Sequence, residues 1–255
     1  MSGPQVRGFA DLDALSRAAA DDLAEVARAA VAERGGCHIA LSGGSTPRRL
    51  FQVLVQRGPD ALPWRQLALW WGDERTVPPD HADSNYRMAR EALIDPAAGF
   101  GLGAAQVHRI AAELAVPAAA AADYERALVA ALGAPPRFDL VLLGMGPDGH
   151  TASLFPDSPA LGDTAHWVVA NPVTSPLVHG TTTRITLTAP AINAARRVRF
   201  LVAGADKAAA LAQVLAGPRA LALYPAQRIA PESGELVWFV DQAAAAALAA
   251  PEATA

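Results

Sequence analysis

Hydrophobic residues follow two different spacings along the chain, which predicts helices and strands in alternation. Apolar side chains spaced three and four apart predict amphipathic helices at 11–34, 47–54, 84–94, 117–132 and 206–215. Short apolar runs that end at glycine, proline or charged residues predict strands. These strands are expected at 38–41, 67–71, 107–110, 138–143, 167–170, 185–187, 198–203 and 237–240.

This alternation predicts an α/β fold, a single Rossmann-like three-layer domain with a mostly parallel sheet and helices on both faces. The 255 residues are 52% hydrophobic and 18% charged, which suits one compact core. Because we find no internal repeat and no linker-like stretch, the domain is expected to span residues 1–255. The longest irregular zone, 156–182, is expected to hold one short strand and to shape the mouth of a site.

Charge and cysteine content exclude several classes of partner. The net charge is −4 and no basic stripe is present, so no nucleic-acid partner is expected. No run of about 18 uncharged apolar residues predicts a membrane helix, and residues 1–15 lack the pattern of a secretion signal. The single cysteine, Cys37, fits a reducing compartment. We therefore expect a cytoplasmic protein, a monomer or at most a weak homo-oligomer.

The most informative segment is 138–156, with the sequence FDLVLLGMGPDGHTASLFP. Its apolar run stops at Gly144, and Asp148 and His150 follow shortly afterwards. Parallel sheets bind ligands at the carboxyl ends of their strands, and a histidine there can take a proton near neutral pH. We therefore predict a carboxylate and an imidazole at this edge, with the glycines, including Gly146, leaving space for both.

The same glycines also fit the G-x-G-x-x-G pattern of dinucleotide-binding folds. That fold needs an acidic residue about 20 positions further on, at the end of the next strand. The acid nearest that position is Asp163, which precedes the predicted strand at 167–170. The dinucleotide interpretation is therefore rejected, and no cofactor is expected.

Two other strand ends carry groups suited to an anion or a sugar. The turn between strand 38–41 and the next helix offers glycines, hydroxyls and the first helical N–H groups, although a plain turn with an N-cap is the alternative. Its candidate residues are Ser42, Gly43, Gly44, Ser45 and Thr46. Strand 67–71 is followed by Asp73, Glu74 and Arg75, for which a solvated loop is the alternative. Asn85 follows Ser84, a candidate helix cap, and is a further candidate.

Two cations complete the set of candidate groups. Arg184 opens the predicted strand RITLT, and Lys207 lies where a helix follows a strand. A lysine at a helix N-terminus is unfavourable unless an anion neutralises it. With the hydroxyl-lined turn, these cations predict a phosphate site, and two solvated surface cations are the alternative.

In this order, the segments resemble the 6-phosphogluconolactonase family. The matching stretches span residues 41 to 208 and read LSGGSTPRRLF, WWGDERTVPPDHADSNYRMA, FDLVLLGMGPDGHTASLFP and RITLTAPAINAARRVRFLVAGADKA. The resemblance implies a sugar-phosphate isomerase-like fold and metal-independent hydrolysis of 6-phospho-D-glucono-1,5-lactone to 6-phosphogluconate, in the oxidative pentose phosphate pathway. It also implies that His150 is the base and that Asp148 assists it.

The residues fit this chemistry, because lactone hydrolysis needs an activated water, an oxyanion site and a grip on the phosphate. His150 would activate the water, with Asp148 orienting it. Backbone N–H groups near Gly43 and Gly44, or at Gly146, would bind the oxyanion. The phosphate would be held by Arg184, Lys207, Ser45 and Arg75. Asp73 would bind sugar hydroxyls.

Two rival functions are weighed on the same segments. In deaminating isomerases of the glucosamine-6-phosphate type, the segment that corresponds to Asp73-Glu74 usually reads DEY. A segment like AFNEP usually follows the histidine. This chain has Arg75 in place of the tyrosine and TASLFPDSP in place of AFNEP, with Asp157 as the nearest acid. A non-catalytic sugar-phosphate sensor would usually carry a DNA-binding domain, but only about 35 residues precede the first predicted strand.

Overall fold

A parallel sheet forms the centre of the protein, for which a computed structural model describes residues 5–178 and 180–248. Its strand order is β1-β9-β8-β5-β2-β3, and β4-β7-β6 form a second, antiparallel sheet. The strands are β1 (Gln5–Phe9), β2 (Cys37–Leu41), β3 (Leu67–Trp71), β4 (Asp73–Arg75), β5 (Leu140–Leu143), β6 (Val168–Ser175), β7 (Gly180–Leu187), β8 (Arg197–Val202) and β9 (Glu235–Asp241).

Helices cover the parallel sheet, as the amphipathic spacing predicts. They are α1 (Leu12–Arg34), α2 (Ser45–Gln56), α3 (Asn85–Ala89), α4 (Asp95–Ala97), α5 (Pro117–Leu132), α6 (Ala189–Asn193) and α7 (Ala208–Ala216), with a π-helical turn at Arg90–Ile94 between α3 and α4. Local signals fix the longest helix: Asp11 accepts from the N–H of Ala14 at 2.7 Å, and Gly35 ends α1 with a φ of 79°. In the described residues, we find no helix long and apolar enough to cross a bilayer.

Two predicted elements are wrong. Residues 107–110 form no strand, because the chain only touches the edge of β3 through a bridge between Val107 and Leu69. The zone 156–182 is not mainly irregular, since it contains all of β6 and the start of β7. Pro172, Pro176 and the polar run of threonines conceal this hairpin from a hydrophobicity pattern. The edge strand β1 was missed because most of its side chains are exposed.

The strands of the sheet centre are apolar without interruption because both faces of the sheet are covered. All four residues of β5 are buried, whereas a sheet with one solvated face would show alternation. Arg199 on β8 is a charged exception, at 3% exposed. Its guanidinium donates to Asp22 at 2.8 Å and to Glu235 at 2.9 Å, so the buried charge is paired.

The strand order locates a crevice at the carboxyl edge of the sheet. From β2 the chain moves outward to β3, then crosses to β5 on the other side of β2 and continues to β8 and β9. The loops after β2 and β5 therefore run in opposite directions, and such a switch point leaves a ligand crevice. The turn 42–46 and the loop 144–156 flank this crevice.

Candidate functional site

A histidine–aspartate pair lies in the loop after β5. Nδ1 of His150 is 2.6 Å from Oδ1 of Asp148, and the backbone N–H of His150 donates to the same oxygen at 3.1 Å. The sequence left this contact open, and the structure brings the two side chains together. A carboxylate at Nδ1 favours the tautomer protonated there, which leaves Nε2 able to accept a proton.

The surroundings of the pair keep the aspartate ionised and the imidazole in place. Burial raises the pKa of Asp148, but its hydrogen bonds with His150 and the charge of the imidazolium outweigh burial, so the net pKa lies below the usual value. The His150 ring stacks on Phe155 with 4.0 Å between centroids. Because 21% of the His150 side chain remains exposed, a water molecule can reach it.

The expectation that glycines leave space for the pair is confirmed. A Cβ on Gly146 would lie 2.1 Å from Nδ1 of His150 and 2.7 Å from Oδ1 of Asp148. Gly149 has a φ of +78°, and a Cβ there would lie 2.8 Å from Cδ1 of Tyr224. Tyr224 comes from a loop far along the chain and was not identified from the sequence.

The two predicted sources of oxyanion donors differ in the structure. The N–H of Gly146 donates to the carbonyl of His150 at 2.9 Å, so it is already occupied. Helix α2 begins at Ser45 after Gly44, whose φ is 100° and which supplies no side-chain cap. The first N–H groups of α2 therefore face the crevice region without a capping side chain, next to the hydroxyls of Ser45 and Thr46.

A buried chain of hydrogen bonds runs from the loop 144–156 to Asn85, whose side chain packs against the turn 42–46. Oγ of Ser153, which is 1% exposed, donates to Oδ2 of Asp73 at 2.6 Å. Nδ2 of Asn85 donates to the carbonyl of Asp73 at 2.9 Å and to its Oδ1 at 3.2 Å. A Cβ on Gly43 would lie 1.8 Å from Oδ1 of Asn85, so the amide packs directly against the turn. We call Ser153, Asp73 and Asn85 the buried polar chain.

Ser153 was not identified from the sequence. Its backbone N–H donates to Oγ1 of Thr186 at 3.1 Å, and its carbonyl accepts from Nδ2 of Asn171 at 2.8 Å. The sequence around it, Thr151 to Phe155, offers no signal beyond a serine directly before two apolar residues. The partners lie on β4, β6 and β7, so no local pattern could name them.

The carboxylate of Glu74 has a structural role, because it is filled by hydrogen bonds within the protein. Its carboxylate accepts from the N–H groups of Arg75, Asn85 and Tyr86 and from Oγ of Ser84. Burial raises the pKa of Glu74 overall, although these N–H donors lower it. Glu74 thus holds the start of α3, and the predicted cap by Ser84 is confirmed by its bond from the N–H of Arg87 at 3.1 Å.

Two arginines face each other across the antiparallel sheet. Arg75 on β4 pairs in register with Arg184 on β7. Burial lowers the pKa of Arg184, and the charge of Arg75 lowers it further. Among the described residues, neither Nε atom has a hydrogen-bond partner, although both atoms are buried. Like charges in register destabilise a sheet, so an anion between them would be stabilising.

Lys207 approaches from another direction. It ends a 3₁₀ turn, Ala205–Lys207, that follows β8 and precedes α7, and its ammonium pairs with the neighbouring Asp206. Lys207 follows β8, whereas the arginine pair follows β3 by way of β4. In the strand order, β5 and β2 lie between β8 and β3. The backbones of Lys207 and Arg184 therefore flank the crevice from opposite sides, and both long side chains would have to reach into it to bind one phosphate. In the described part of the chain, no group of three or more His, Cys, Asp or Glu side chains could hold a metal.

Comparisons with known proteins show which proteins the chain resembles in sequence and in fold. A family model described as "Glucosamine-6-phosphate isomerases/6-phosphogluconolactonase" matches residues 10–238. A 6-phosphogluconolactonase from Synechocystis is 46% identical over 221 residues, covering 84% of this chain and 86% of the relative. The solved 6-phosphogluconolactonase from Trypanosoma brucei has a TM-score of 0.86 and 30% identity, covering 98% of this chain and 100% of its own.

A solved monomeric glucosamine-6-phosphate deaminase is also similar in structure. Its TM-score is 0.79, and it covers 95% of this chain and 99% of its own, but the identity is 21%. At that identity the likeness shows a shared fold and nothing about the reaction.

Proposed function

The chain belongs to the family of glucosamine-6-phosphate isomerases and 6-phosphogluconolactonases, and we propose that His150 activates the water with which it hydrolyses 6-phospho-D-glucono-1,5-lactone. The activity is that of a hydrolase of carbohydrate metabolism, in the pentose phosphate pathway. The observation that supports the proposed mechanism best is the 2.6 Å contact between His150 and Asp148 beside the crevice.

The proposed reaction begins with proton removal from water. Nε2 of His150 takes the proton while the water oxygen attacks the lactone carbonyl, and Asp148 stabilises the imidazolium that forms. The negative charge then develops on the carbonyl oxygen. We assign Gly43 and Gly44 as its N–H donors, because the N–H of Gly146 already has an acceptor. Collapse of the intermediate breaks the ring C–O bond, and the imidazolium returns its proton to the departing ring oxygen.

The substrate phosphate is assigned to the cations and hydroxyls around the turn 42–46. Arg184 and Arg75 offer two guanidinium groups with unpartnered Nε atoms. The remaining proposed contacts are Lys207 and the hydroxyls of Ser42, Ser45 and Thr46. Guanidinium groups bind phosphate oxygens in pairs, which fixes orientation as well as affinity.

Asp73 and Asn85 are assigned a positioning role in addition to the sugar contact predicted for Asp73. Both carboxylate oxygens of Asp73 already accept hydrogen bonds within the buried polar chain. This chain ties Ser153, three residues after His150, to the turn that carries the proposed oxyanion donors. Contact of Asp73 with sugar hydroxyls stays a prediction.

The single cysteine bears on the compartment in which the protein works. Cys37 is a buried free thiol, and burial raises its pKa to about 12, which makes the thiol unreactive. We propose a monomeric cytoplasmic protein of one domain that acts without a cofactor or metal.

A direct assay tests the function against the deaminase alternative. Freshly prepared lactone, followed against a spontaneous-hydrolysis blank, is expected to be consumed much faster with the protein. Glucosamine 6-phosphate is expected to release no ammonia, because the acid nearest the deaminase slot, Asp157, is exposed. Ammonia release together with blank-level lactone hydrolysis would establish the deaminase instead.

The phosphate assignment predicts a binding defect when Arg184 is replaced by alanine. We expect the Michaelis constant to rise about 10- to 100-fold with a small change in kcat, because charge-assisted bonds to the phosphate form in the ground state as well. Arg57→Ala is the matched control, since Arg57 pairs with Asp21 on the outer surface of α1 and α2. An unchanged Michaelis constant in Arg184→Ala would move the phosphate site elsewhere, and Lys207→Ala would then be the variant to compare.

A further inference from the structure

A second cationic site lies at the opposite edge of the sheet. It is a cleft of about 360 Å³ lined by Glu33, Arg34, Arg137, Arg196, Arg197, Ser233, Gly234 and Glu235, which we call the arginine cleft. We propose that the arginine cleft binds a small phosphate-bearing anion. The proposal is independent of the reaction assigned above, because it uses none of the same residues.

The position of the cleft separates it from the catalytic crevice. Arg34 ends α1, Arg137 precedes β5, and Arg197 begins β8. These residues lie at the amino ends of parallel strands, whereas the loop of His150 follows the carboxyl end of β5. The six residues of β8 span about 20 Å, so one anion cannot contact both edges.

The ion pairs around Asp139 leave donors unused. Asp139 is 3% exposed, and its Oδ1 accepts from Nε of Arg34 at 3.0 Å. Nε of Arg196 lies 3.4 Å from the same oxygen, but it is buried and makes no hydrogen bond in the described part of the chain. The other oxygen accepts from the N–H of His38 at 2.8 Å. Two guanidinium groups thus share one carboxylate oxygen, and because Arg34 also pairs with Glu33, Arg196 is the incompletely paired member.

The other two arginines are paired even less completely. Nε of Arg197 is 3.7 Å from Oε2 of Glu235, which already accepts from Nη2 of Arg199 at 2.9 Å. Arg137 is exposed, and its contact with Oγ of Ser233 is long, at 3.4 Å. Within the described ranges 5–178 and 180–248, Arg137 has no carboxylate partner.

The ligand class follows from this imbalance. Each guanidinium has five N–H donors in a planar fork, and phosphate oxygens match that geometry in pairs. Three carboxylates, of Glu33, Asp139 and Glu235, do not satisfy four such groups. A cleft of this size accommodates a phosphate or pyrophosphate group with a small organic part attached. The alternative is a purely structural set of surface ion pairs with no ligand.

Titration with inorganic pyrophosphate at constant ionic strength, by isothermal calorimetry on the full chain, tests the proposal. Arg137→Gln/Arg197→Gln is expected to weaken pyrophosphate binding to the cleft about tenfold or more, since two charge-assisted contacts are lost. Its kcat and Michaelis constant for the lactone are expected to match those of the wild type. The single variant Arg137→Gln, at an exposed and unpaired side chain, is expected to lose affinity in the same direction without a risk to folding.

Two controls assign the binding to the cleft. Arg126→Gln removes one positive charge from an exposed pair with Asp123 on α5 and is expected to leave affinity unchanged. Arg184→Gln alters the proposed substrate site and is expected to retain binding in the cleft. Equal affinities in the wild type and the double variant would overturn the proposal. So would loss of all binding in Arg184→Gln, which would place pyrophosphate in the catalytic crevice alone.

Discussion

Replacing His150 by alanine is expected to slow lactone hydrolysis by a factor of about 10²–10⁴, the usual contribution of a positioned general base. The ring supplies the only imidazole in the loop after β5, and its Nδ1 contact with Asp148 directs Nε2 to act as the acceptor. Because the phosphate contacts are untouched, 6-phosphogluconate is expected to bind with nearly normal affinity. Steady-state turnover, corrected for spontaneous hydrolysis, and product titration measure the two effects separately.

The chain contains a matched control for this variant. Nδ1 of His166 is 2.9 Å from Oδ2 of Asp163, so the protein has a second histidine–aspartate pair with similar geometry. In that pair His166 is exposed and Asp163 is half-buried, and both residues precede β6. The hydrogen bond with Asp163, and after it the charge of Asp163, raises the pKa of His166. His166→Ala is expected to leave turnover unchanged. Near-normal turnover in His150→Ala would remove His150 as the base.

The sequence predicted the parts of this site that depend on local order along the chain. Buried parallel strands are continuous apolar runs, so β3 was predicted with its observed bounds, and β5 was predicted within two residues. The groups that follow those strands reach the same edge by topology alone. For this reason, His150, Asp148 and the turn 42–46 could be named from spacing and residue type.

Contacts between distant segments could not be predicted in the same way. Ser153 acquires its role from Asp73, which lies 80 positions earlier, and from Asn171 on β6. The charged residues after β3 also have different roles, since Glu74 holds α3 while Arg75 faces Arg184. These differences depend on the antiparallel sheet β4-β7-β6, whose proline- and threonine-rich strands give a weak pattern.

The groups proposed for the reaction come from two different loops, and buried contacts run between these loops. The loop 144–156 carries the proposed base, and the turn 42–46 carries the proposed oxyanion donors. Hydrogen bonds link Ser153, Asp73 and Asn85, which are all buried, and the amide of Asn85 packs against Gly43 of the turn. We infer that these buried hydrogen bonds, together with the packing of Asn85 against the turn, hold the proposed base and the proposed donors in place relative to each other.

Gly146→Ala is expected to lower kcat about 100-fold or more with little loss of stability. The added Cβ would lie 2.1 Å from Nδ1 and 2.2 Å from Cε1 of His150. The collision is with a side chain, so the imidazole can turn aside while the backbone stays in place. Turning aside breaks the Asp148 contact and moves Nε2, and a displacement of about 1 Å at a reacting group costs about 10²-fold.

The measurement that separates this explanation from unfolding is turnover alongside thermal unfolding. The variant is expected to unfold within a few degrees of the wild type and to bind 6-phosphogluconate. Gly162→Ala is the matched control, because a Cβ there meets nothing within 4 Å, and it is expected to retain full activity. A Gly146→Ala variant with wild-type kcat would show that the contact between His150 and Asp148 is not needed for turnover. Because the substitution leaves both side chains present, its effect depends on their geometry alone.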